Sequence, residues 1–332
     1  MKNFGVTTDG THTVDLDCYG ALRDVGRAPK IVDDQHVIKC HSKNAKKLQC
    51  QLDAVCWLRE HGGISFLPRY VKTIFGERFL QDEEGYCWTL SEYVSSGVVV
   101  HREKATIGQH RALGKVAADI QIALSSLKPL LSTTVPFDTC PPYLSRTEIL
   151  VGAKLRFEML LENKDLSLQE GRGALFIKSI QKCISRLQAT LPLCPRTLFI
   201  HNDLAFQNVK FATEDSTDIC LVVDFDISQV DYRVAEFNNM VFARPGHLPL
   251  ILNQKNIDAL MEGYRDSLLS SSDPLSDVEQ SAIIEILRSR VLEEVARHQL
   301  REYVPFVLNC GDFDEQTEQR WTILKEFEEM YP

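Results

Sequence analysis

Short apolar runs bounded by turn residues fill the first third of the chain. The segments KIV and HVIKC flank the polar turn Asp33-Asp34-Gln35, and ERFLQ and CWTLSEYV flank a second polar turn at residues 82–85. Between these pairs, apolar residues recur every three or four positions from Lys46 to His61, and Gly62-Gly63 provides a stop signal. The pattern predicts the order strand, strand, helix, strand, strand.

A different pattern follows Ser95-Ser96-Gly97, where long stretches carry apolar residues at helical spacing. We expect helices at Ile107–Leu127, Arg146–Leu161 and Gly173–Leu191, and again from Ile257 onwards. One strand-rich segment, Arg196–Asp226, interrupts these helices.

The change of pattern divides the chain into two lobes. The sequence predicts an α+β fold with a small lobe of antiparallel strands and one helix in residues 1–94. Residues 95–332 are expected to form a larger, mostly helical lobe. The hinge between the lobes is expected near Val94 to Gly97.

Composition limits the class of protein. The chain has 332 residues, and its 44% hydrophobic and 25% charged residues are typical of a globular protein. Its apolar runs fall far short of the roughly 20 residues that span a bilayer, and the N-terminus lacks an apolar signal core. The 10 cysteines include no CxxC pair, which favours reduced thiols over a zinc site. We therefore expect a cytoplasmic protein that does not enter a membrane.

The net charge narrows the choice of partner. A formal charge of -9 argues against nucleic acid, because contacts with phosphate backbones need clustered lysines and arginines. The same charge is compatible with a cationic small molecule. The sequence gives no indication of oligomeric state.

Candidate chemistry is concentrated in the strand-rich segment. The apolar strand TLFI leads to His201, Asp203 and Asn208, and a second apolar strand, CLVV, leads to Asp224. The turn residues TEDSTD predict a hairpin that brings the two sets of side chains together. Because magnesium prefers hard oxygen ligands, Asn208 and Asp224 are candidate metal ligands.

Two further residues of this segment have candidate roles. Asp203 is placed to accept the proton of an attacking hydroxyl, which is the main demand that phosphoryl transfer makes on a side chain. His201 lies two residues earlier, and we expect it to brace the loop by hydrogen bonding. Taken singly, each residue could instead be a turn, cap or core residue, and their joint spacing carries the hypothesis.

The segments HNDLAFQN and VVDFD resemble the catalytic and metal loops of the aminoglycoside phosphotransferase, choline kinase and homoserine kinase group, which is itself similar to protein kinases. The resemblance implies a bilobal, protein-kinase-like fold that uses ATP and Mg²⁺. It implies that Asp203 is the catalytic base and that Asn208 and Asp224 bind the metal. Asp226 stands where these small-molecule kinases often have a second acidic residue.

The resemblance extends over nearly the whole chain. VIKC is similar to the strand whose lysine, here Lys39, grips the nucleotide phosphates, and the next helix should offer an acidic partner, Asp53 or, failing that, Glu60. LSEYVSSG resembles the hinge that reads adenine through main-chain groups, with candidates Glu92, Tyr93 and Val94.

A later segment, DYRVAEFNNMVF, resembles one that commonly reads RxxD, with Glu236 in place of the aspartate. Two roles are open for Glu236: pairing with Arg233 or Arg244, or touching the substrate. Asp226 is a second candidate substrate contact.

Some features depart from protein kinases. No GxGxxG precedes Lys39, where Gly20 and Gly26 are the flexible points, and Ala205 stands where a protein kinase has lysine. The predicted function is transfer of the ATP γ-phosphoryl group to a hydroxyl of an amino-alcohol, amino-sugar or aminoglycoside-like molecule. The alternatives are a non-catalytic nucleotide-binding or scaffold protein on the same fold, and a protein kinase.

Overall fold

The computed structural model of the chain describes residues 11–13, 29–32, 34–125, 150–152, 154, 155, 158, 170–194, 197–242, 253–269, 271, 273–299 and 313–332. Gly20, Gly26, Arg244 and most of the helix expected at Arg146–Leu161 lie outside the described residues.

The small lobe contains an antiparallel sheet with the strand order β1-β2-β3-β5-β4. Its strands are β1 Thr11–Thr13, β2 Lys30–Val32, β3 His36–Cys40, β4 Leu80–Gln81 and β5 Cys87–Glu92. Strand β3 pairs with β5 so that Lys39 lies opposite Thr89 and His36 lies opposite Glu92. Lys39 is therefore held on a paired strand, and β5 ends where the chain leaves the lobe.

Helix α1, Ala45–Glu60, confirms the helix predicted between the strand pairs. The Asn44 side chain caps its first turn by accepting a 3.0 Å hydrogen bond from the main-chain N–H of Lys47. The apolar stripe that includes Leu48, Leu52 and Val55 is buried. Burial of each such side chain contributes about 1.5–3 kcal/mol, so packing of this stripe fixes the helix against the rest of the fold.

The large lobe is built mainly from helices. They are α2 Ile107–Ser125, α3 Glu170–Thr190, α4 Phe237–Val241, α5 Gln254–Leu269, α6 Asp277–Gln299 and α7 Phe313–Met330. Helix α2 runs along α5, and α6 packs against α3, α4 and α7. No described helix is both long enough and apolar enough to cross a bilayer.

Two strand pairs interrupt the helices, and one of them is the hairpin that the sequence predicts. They consist of β6 Thr197–Ile200 with β9 Gln229–Tyr232, and β7 Val209–Phe211 with β8 Ile219–Val222. The β7–β8 pair is antiparallel, with Val209 opposite Val222. The loops that follow β6 and β8 therefore lie side by side, and these loops carry the predicted site residues.

The segment 92–97, called the hinge below, joins the lobes. Immediately after it, Val98 and Phe211 of β7 exchange two main-chain hydrogen bonds of 2.8 Å. Gly97 has φ of +86°, and a Cβ there would lie 2.5 Å from Sγ of Cys220. Only glycine fits this position without displacement. The architecture is the predicted bilobal α+β fold.

Candidate active site

The loop of residues 201–208, predicted from the sequence to be catalytic and called the catalytic loop below, orients Asp203. Asp203 is completely buried, and its main-chain N–H donates to Nδ1 of His201 at 3.2 Å. The Asn208 side chain donates through Nδ2 to the Asp203 carbonyl oxygen at 2.8 Å and to Oδ2 at 2.9 Å. The loop therefore holds this carboxylate in one orientation.

His201 connects the catalytic loop to the segment that carries Asp224. Its Nδ1 accepts from the Asp203 N–H, so its Nε2 must donate to the Val223 carbonyl oxygen, 2.8 Å away. Burial lowers the pKa of His201, which favours this neutral tautomer. The ring also packs on Phe225, with 4.3 Å between centroids. This geometry is that of a brace, the role expected for His201.

Asn202 adopts a left-handed conformation, with φ of +62°. Its main-chain N–H donates to Oε1 of Glu236 at 3.0 Å, and its carbonyl oxygen accepts from Nδ2 of Asn239. Its side chain donates to the Ile227 carbonyl oxygen at 3.1 Å. Asparagine tolerates this region better than most residues, and three separate contacts fix the turn that presents Asp203.

Glu236 is buried against the main chain of the catalytic loop. It is 2% exposed, and its Oε2 accepts from the main-chain N–H of His201 at 2.8 Å. Burial raises the pKa of Glu236 to about 7, although main-chain N–H donors oppose the shift. The prediction that Glu236 touches substrate is therefore wrong in this structure, because both oxygens are bound to the main chain of the loop.

Pairing of Glu236 with Arg233 is also wrong. The buried Arg233 makes a two-pronged ion pair with Glu279, with both nitrogen–oxygen distances at 2.7 Å. Its guanidinium also donates to the carbonyl oxygens of Asp273 and Pro274. This ion pair joins the segment before α4 to the start of α6 and so stabilises the segment that contains Glu236.

The segment 223–228, predicted from the sequence to bind metal and called the metal loop below, brings a second group of charges together. Asp224 has φ of +68°. Nζ of Lys39 lies 3.0 Å from Oδ1 of Asp224 and 3.0 Å from Oδ2 of Asp226. His41, which the sequence reasoning missed, places Nδ1 3.2 Å from the other oxygen of Asp226 and Nε2 2.8 Å from Oγ1 of Thr89.

The Lys39 ammonium and the Asp226 carboxylate reinforce each other's charged states. Burial acts to lower the pKa of Lys39, but the charges of Asp226 and Asp224 outweigh it and the pKa lies above its ordinary value. Burial acts to raise the pKa of Asp226, but the charge of Lys39 and the contact with His41 hold it well below its usual range. Lys39 and Asp226 are therefore both charged at neutral pH.

The structure does not pair Lys39 with the acidic residue that was predicted on α1. Asp53 is 51% exposed, and its Oδ1 binds Arg78 at 2.7 Å and Gln49 at 2.8 Å. Glu60 also faces Arg78, at 3.8 Å. The α1 residue that does reach the site is the buried Gln51, which donates to the main-chain carbonyl oxygen of Asp226 at 2.8 Å.

Main-chain groups of the hinge make hydrogen bonds within the protein. The N–H of Tyr93 donates to the Gln35 carbonyl oxygen at 2.6 Å, and the Glu92 side chain pairs with Arg69 on the surface. The carbonyl oxygen of Val94 accepts a 2.8 Å hydrogen bond from Nζ of Lys210 on β7. The sequence reasoning did not single out Lys210.

The oxygen donors near the metal loop suit magnesium. Asp224 and Asp226 contribute carboxylates, and Asn208 commits its Nδ2 to Asp203, which leaves Oδ1 as the atom suited to a cation. Among the described residues there is no group of three or more His, Cys, Asp or Glu side chains that could hold a metal alone. Mg²⁺ commonly takes one or two protein oxygens and completes its shell with phosphate and water.

Solved structures of small-molecule kinases share this architecture. An aminoglycoside phosphotransferase from Alicyclobacillus acidocaldarius superimposes with a TM-score of 0.65 at 11% identity, covering 99% of this chain and 94% of that chain. A microcompartment-associated aminopropanol kinase gives 0.61 at 14% identity, covering 92% and 90%. The GDP complex of a wild-type aminoglycoside 2'-phosphotransferase-IIIa gives 0.59 at 12% identity, covering 96% and 94%. At these identities the likeness shows the fold, which is kinase-like as predicted.

Comparison at the level of sequence identifies the family. The search of curated proteins found no match. Residues 33–266 match the phosphotransferase enzyme family (APH), and this range includes Lys39, the catalytic loop and the metal loop. The chain belongs to the phosphotransferase enzyme family.

Proposed function

We propose that this protein transfers the γ-phosphoryl group of ATP to a hydroxyl of a small molecule. One observation carries the proposal: the fold brings Lys39, the metal loop and the Asn208–Asp203 pair into one continuous set of contacts between the lobes. Phosphoryl transfer needs bound phosphates, oxygen ligands for a cation and a carboxylate beside the nucleophile, and this set supplies all three.

Asp203 acts as the base in this proposal. The acceptor oxygen forms a bond to the γ-phosphorus while the bond from that phosphorus to the β,γ-bridging oxygen breaks. The hydroxyl proton passes to the Asp203 carboxylate, and ADP leaves with the bonding electron pair. Asn208 and His201 keep the carboxylate directed at the acceptor, because each is hydrogen-bonded to Asp203.

Nucleotide binding is assigned to residues 1–94 and to the metal loop. Lys39 would exchange its carboxylate partners for nucleotide phosphate oxygens, and the main chain of Glu92, Tyr93 and Val94 would receive the base. Three neighbouring structures hold GDP and another holds AMP-PNP with Ca²⁺, which supports use of a nucleotide and a divalent cation. Mg²⁺ is the cation proposed here, and it would neutralise developing phosphate charge when bound by Asn208 and Asp224.

We assign the acceptor-binding pocket to residues 95–332, and we propose that the acceptor is an amino-alcohol, amino-sugar or aminoglycoside-like molecule. Neighbouring structures are complexes with kanamycin, amicoumacin or spectinomycin. The formal charge of -9 favours a cationic acceptor. We also propose a cytoplasmic location, which is supported by the free thiols of the described cysteines.

Acceptor-dependent ADP release by the purified protein tests this function. The acceptor panel comprises aminoglycosides, spectinomycin, choline, homoserine, aminopropanol and simple sugars. With an active acceptor, Asp203→Asn should lower single-turnover phosphorylation by about 10² to 10⁴-fold with little change in nucleotide affinity. Asp215→Asn, in the exposed turn between β7 and β8, is the matched control and should retain the parental rate.

A contrary result has a clear form. A folded Asp203→Asn variant that phosphorylates at the parental rate would remove Asp203 from the mechanism. Nucleotide binding without turnover for any acceptor, including protein substrates, would favour the non-catalytic alternative.

A further inference from the structure

Lys210 places a positive charge against the hinge. It is the middle residue of β7, and its neighbours Val209 and Phe211 are both buried in the core of the large lobe. Lys210 between them is only partly buried, and the strand register shifts between Lys210 and Phe211. Its Nζ lies 2.8 Å from the Val94 carbonyl oxygen and 5.4 Å from the centroid of the Tyr93 ring.

The ammonium group retains hydrogen-bonding capacity at this position. Lys210 is half-buried, and no described carboxylate forms an ion pair with it. Burial lowers its pKa, which indicates that the ammonium has lost part of its hydration. A lysine ammonium has three N–H donors, of which the Val94 carbonyl oxygen uses one. The remaining donors favour a ligand that brings acceptor atoms to the hinge.

Purine bases differ in what they offer such a cation. Guanine presents two adjacent acceptors, O6 and N7, and lysine commonly binds this edge. Adenine presents N7 beside a 6-amino group, which is itself a donor. Hypoxanthine shares O6 and N7 with guanine but lacks the 2-amino group.

We propose that Lys210 enables the nucleotide site to accept guanine nucleotides in addition to ATP, by donating a hydrogen bond to O6 of a base bound at the hinge. The inference rests on the proposed function only in that it takes the hinge as the base-binding segment. It adds a specificity-determining side chain to a segment for which only main-chain contacts are otherwise expected.

Calorimetric titration of the full chain with GDP, IDP and ADP in the presence of Mg²⁺ tests the proposal. Lys210→Met keeps the length of the aliphatic stem and removes the donors. We expect it to weaken GDP and IDP binding about 10-fold and to change ADP binding less than about 3-fold. Lys210→Arg restores donors and should restore a substantial part of the GDP and IDP affinity. Lys325→Met removes the same charge from an exposed position on α7 and should leave all three affinities unchanged.

Each alternative result points to a different failure. If the parental protein binds neither ADP nor GDP, the proposed nucleotide site fails, and the inference with it. If ADP binds but GDP and IDP do not, the proposed function stands and the inference is overturned. Equal weakening of ADP binding and GDP binding by Lys210→Met would show that the ammonium contacts phosphate or supports the hinge. This result too would overturn the proposed hydrogen bond from Lys210 to the base. Weaker GDP binding with unchanged IDP binding would exclude O6 as the atom read.

Discussion

The buried carboxyl of Glu236 makes stability depend on pH. Its folded-state pKa of about 7 lies above the ordinary value of 4.5. Between these values the folded protein holds a proton that the unfolded chain has lost. The stabilising contribution is thus fully present below about pH 4.5 and is lost as the pH rises through 7. Its size is at most about 3 kcal/mol.

Glu236→Gln should remove this dependence. The uncharged side chain cannot titrate, so the free energy of unfolding should fall less between about pH 5 and pH 7.5 in the variant than in the parent. The variant should also be less stable than the parent at the lower pH, because an amide offers one acceptor oxygen to two main-chain N–H donors. Urea unfolding at both pH values measures the difference. Parallel pH profiles for parent and variant would contradict the assignment.

Roles that depend on contacts between residues far apart in the sequence are the hardest to predict. Asp53 is the acidic partner predicted for Lys39 on α1, although Asp53 lies off the buried stripe of Leu48, Leu52 and Val55. Gln51 lies on that stripe and reaches the metal loop. A polar residue among buried helical positions was the available signal, and helical periodicity would have located it.

The close contact between α2 and α5 requires glycine at position 263. A Cβ at Gly263 would lie 1.9 Å from the Arg111 carbonyl oxygen, so the helices approach as closely as their backbones allow. Next to it, Tyr264 donates to Oε1 of Gln121 at 2.6 Å, and Gln121 donates to the Arg233 carbonyl oxygen at 3.0 Å. The close packing of α2 against α5 thus supports the segment that contains Arg233 and Glu236.

Gly263→Ala should therefore destabilise the protein. Separating two packed helices costs at least about 1–3 kcal/mol, because the added methyl group has only backbone to displace. Gly152→Ala is the matched control, since no described atom lies within 4 Å of its added Cβ and its backbone is helical. That variant should be neutral or more stable by up to about 1 kcal/mol. Melting temperatures of the two variants measure the difference. Equal melting temperatures would contradict the close packing of α2 against α5 at Gly263.

Elements were largely predictable because their signals are local. The helices α1, α2 and α3 and the β7–β8 hairpin follow apolar spacing and turn residues. The strand expected at ERFLQ is shorter, at Leu80–Gln81. Its continuation along β5 is blocked because Arg69 and Val71 already bond to that edge at Glu92 and Leu90. Such competition between segments for one strand edge has no sequence signal.

Across the whole molecule, Lys39 joins the lobes electrostatically. A lysine on the small-lobe sheet contacts two carboxylates of the large lobe, and its side chain is 23% exposed. Without the ammonium, two carboxylates would face each other in a partly dehydrated cleft.

Lys39→Met should lower the melting temperature, and Mg²⁺ alone should then stabilise the variant more than the parent. The reason is that a divalent cation can replace the lost charge, whereas in the parent it must compete with Lys39. In nucleotide-free protein at about 10 mM MgCl₂, we expect an additional rise of roughly 2 °C or more. Lys325→Met should respond as the parent does. An identical response of Lys39→Met and parent would argue against a cation site beside Asp224 and Asp226.

The hydrogen bonds that Glu236 accepts from the catalytic loop have a further consequence for exchange of amide hydrogens with solvent. The N–H groups of His201 and Asn202 lie outside any strand or helix, where exchange is ordinarily fast. Here both are bound to a carboxyl group supported by the buried Arg233–Glu279 pair, so their release requires opening of the lobe's core. We expect these two amides to exchange with deuterium as slowly as those of neighbouring β6, whereas amides in the exposed 213–217 turn exchange within seconds. Rapid exchange at residues 201 and 202 would show that the loop opens independently of the lobe.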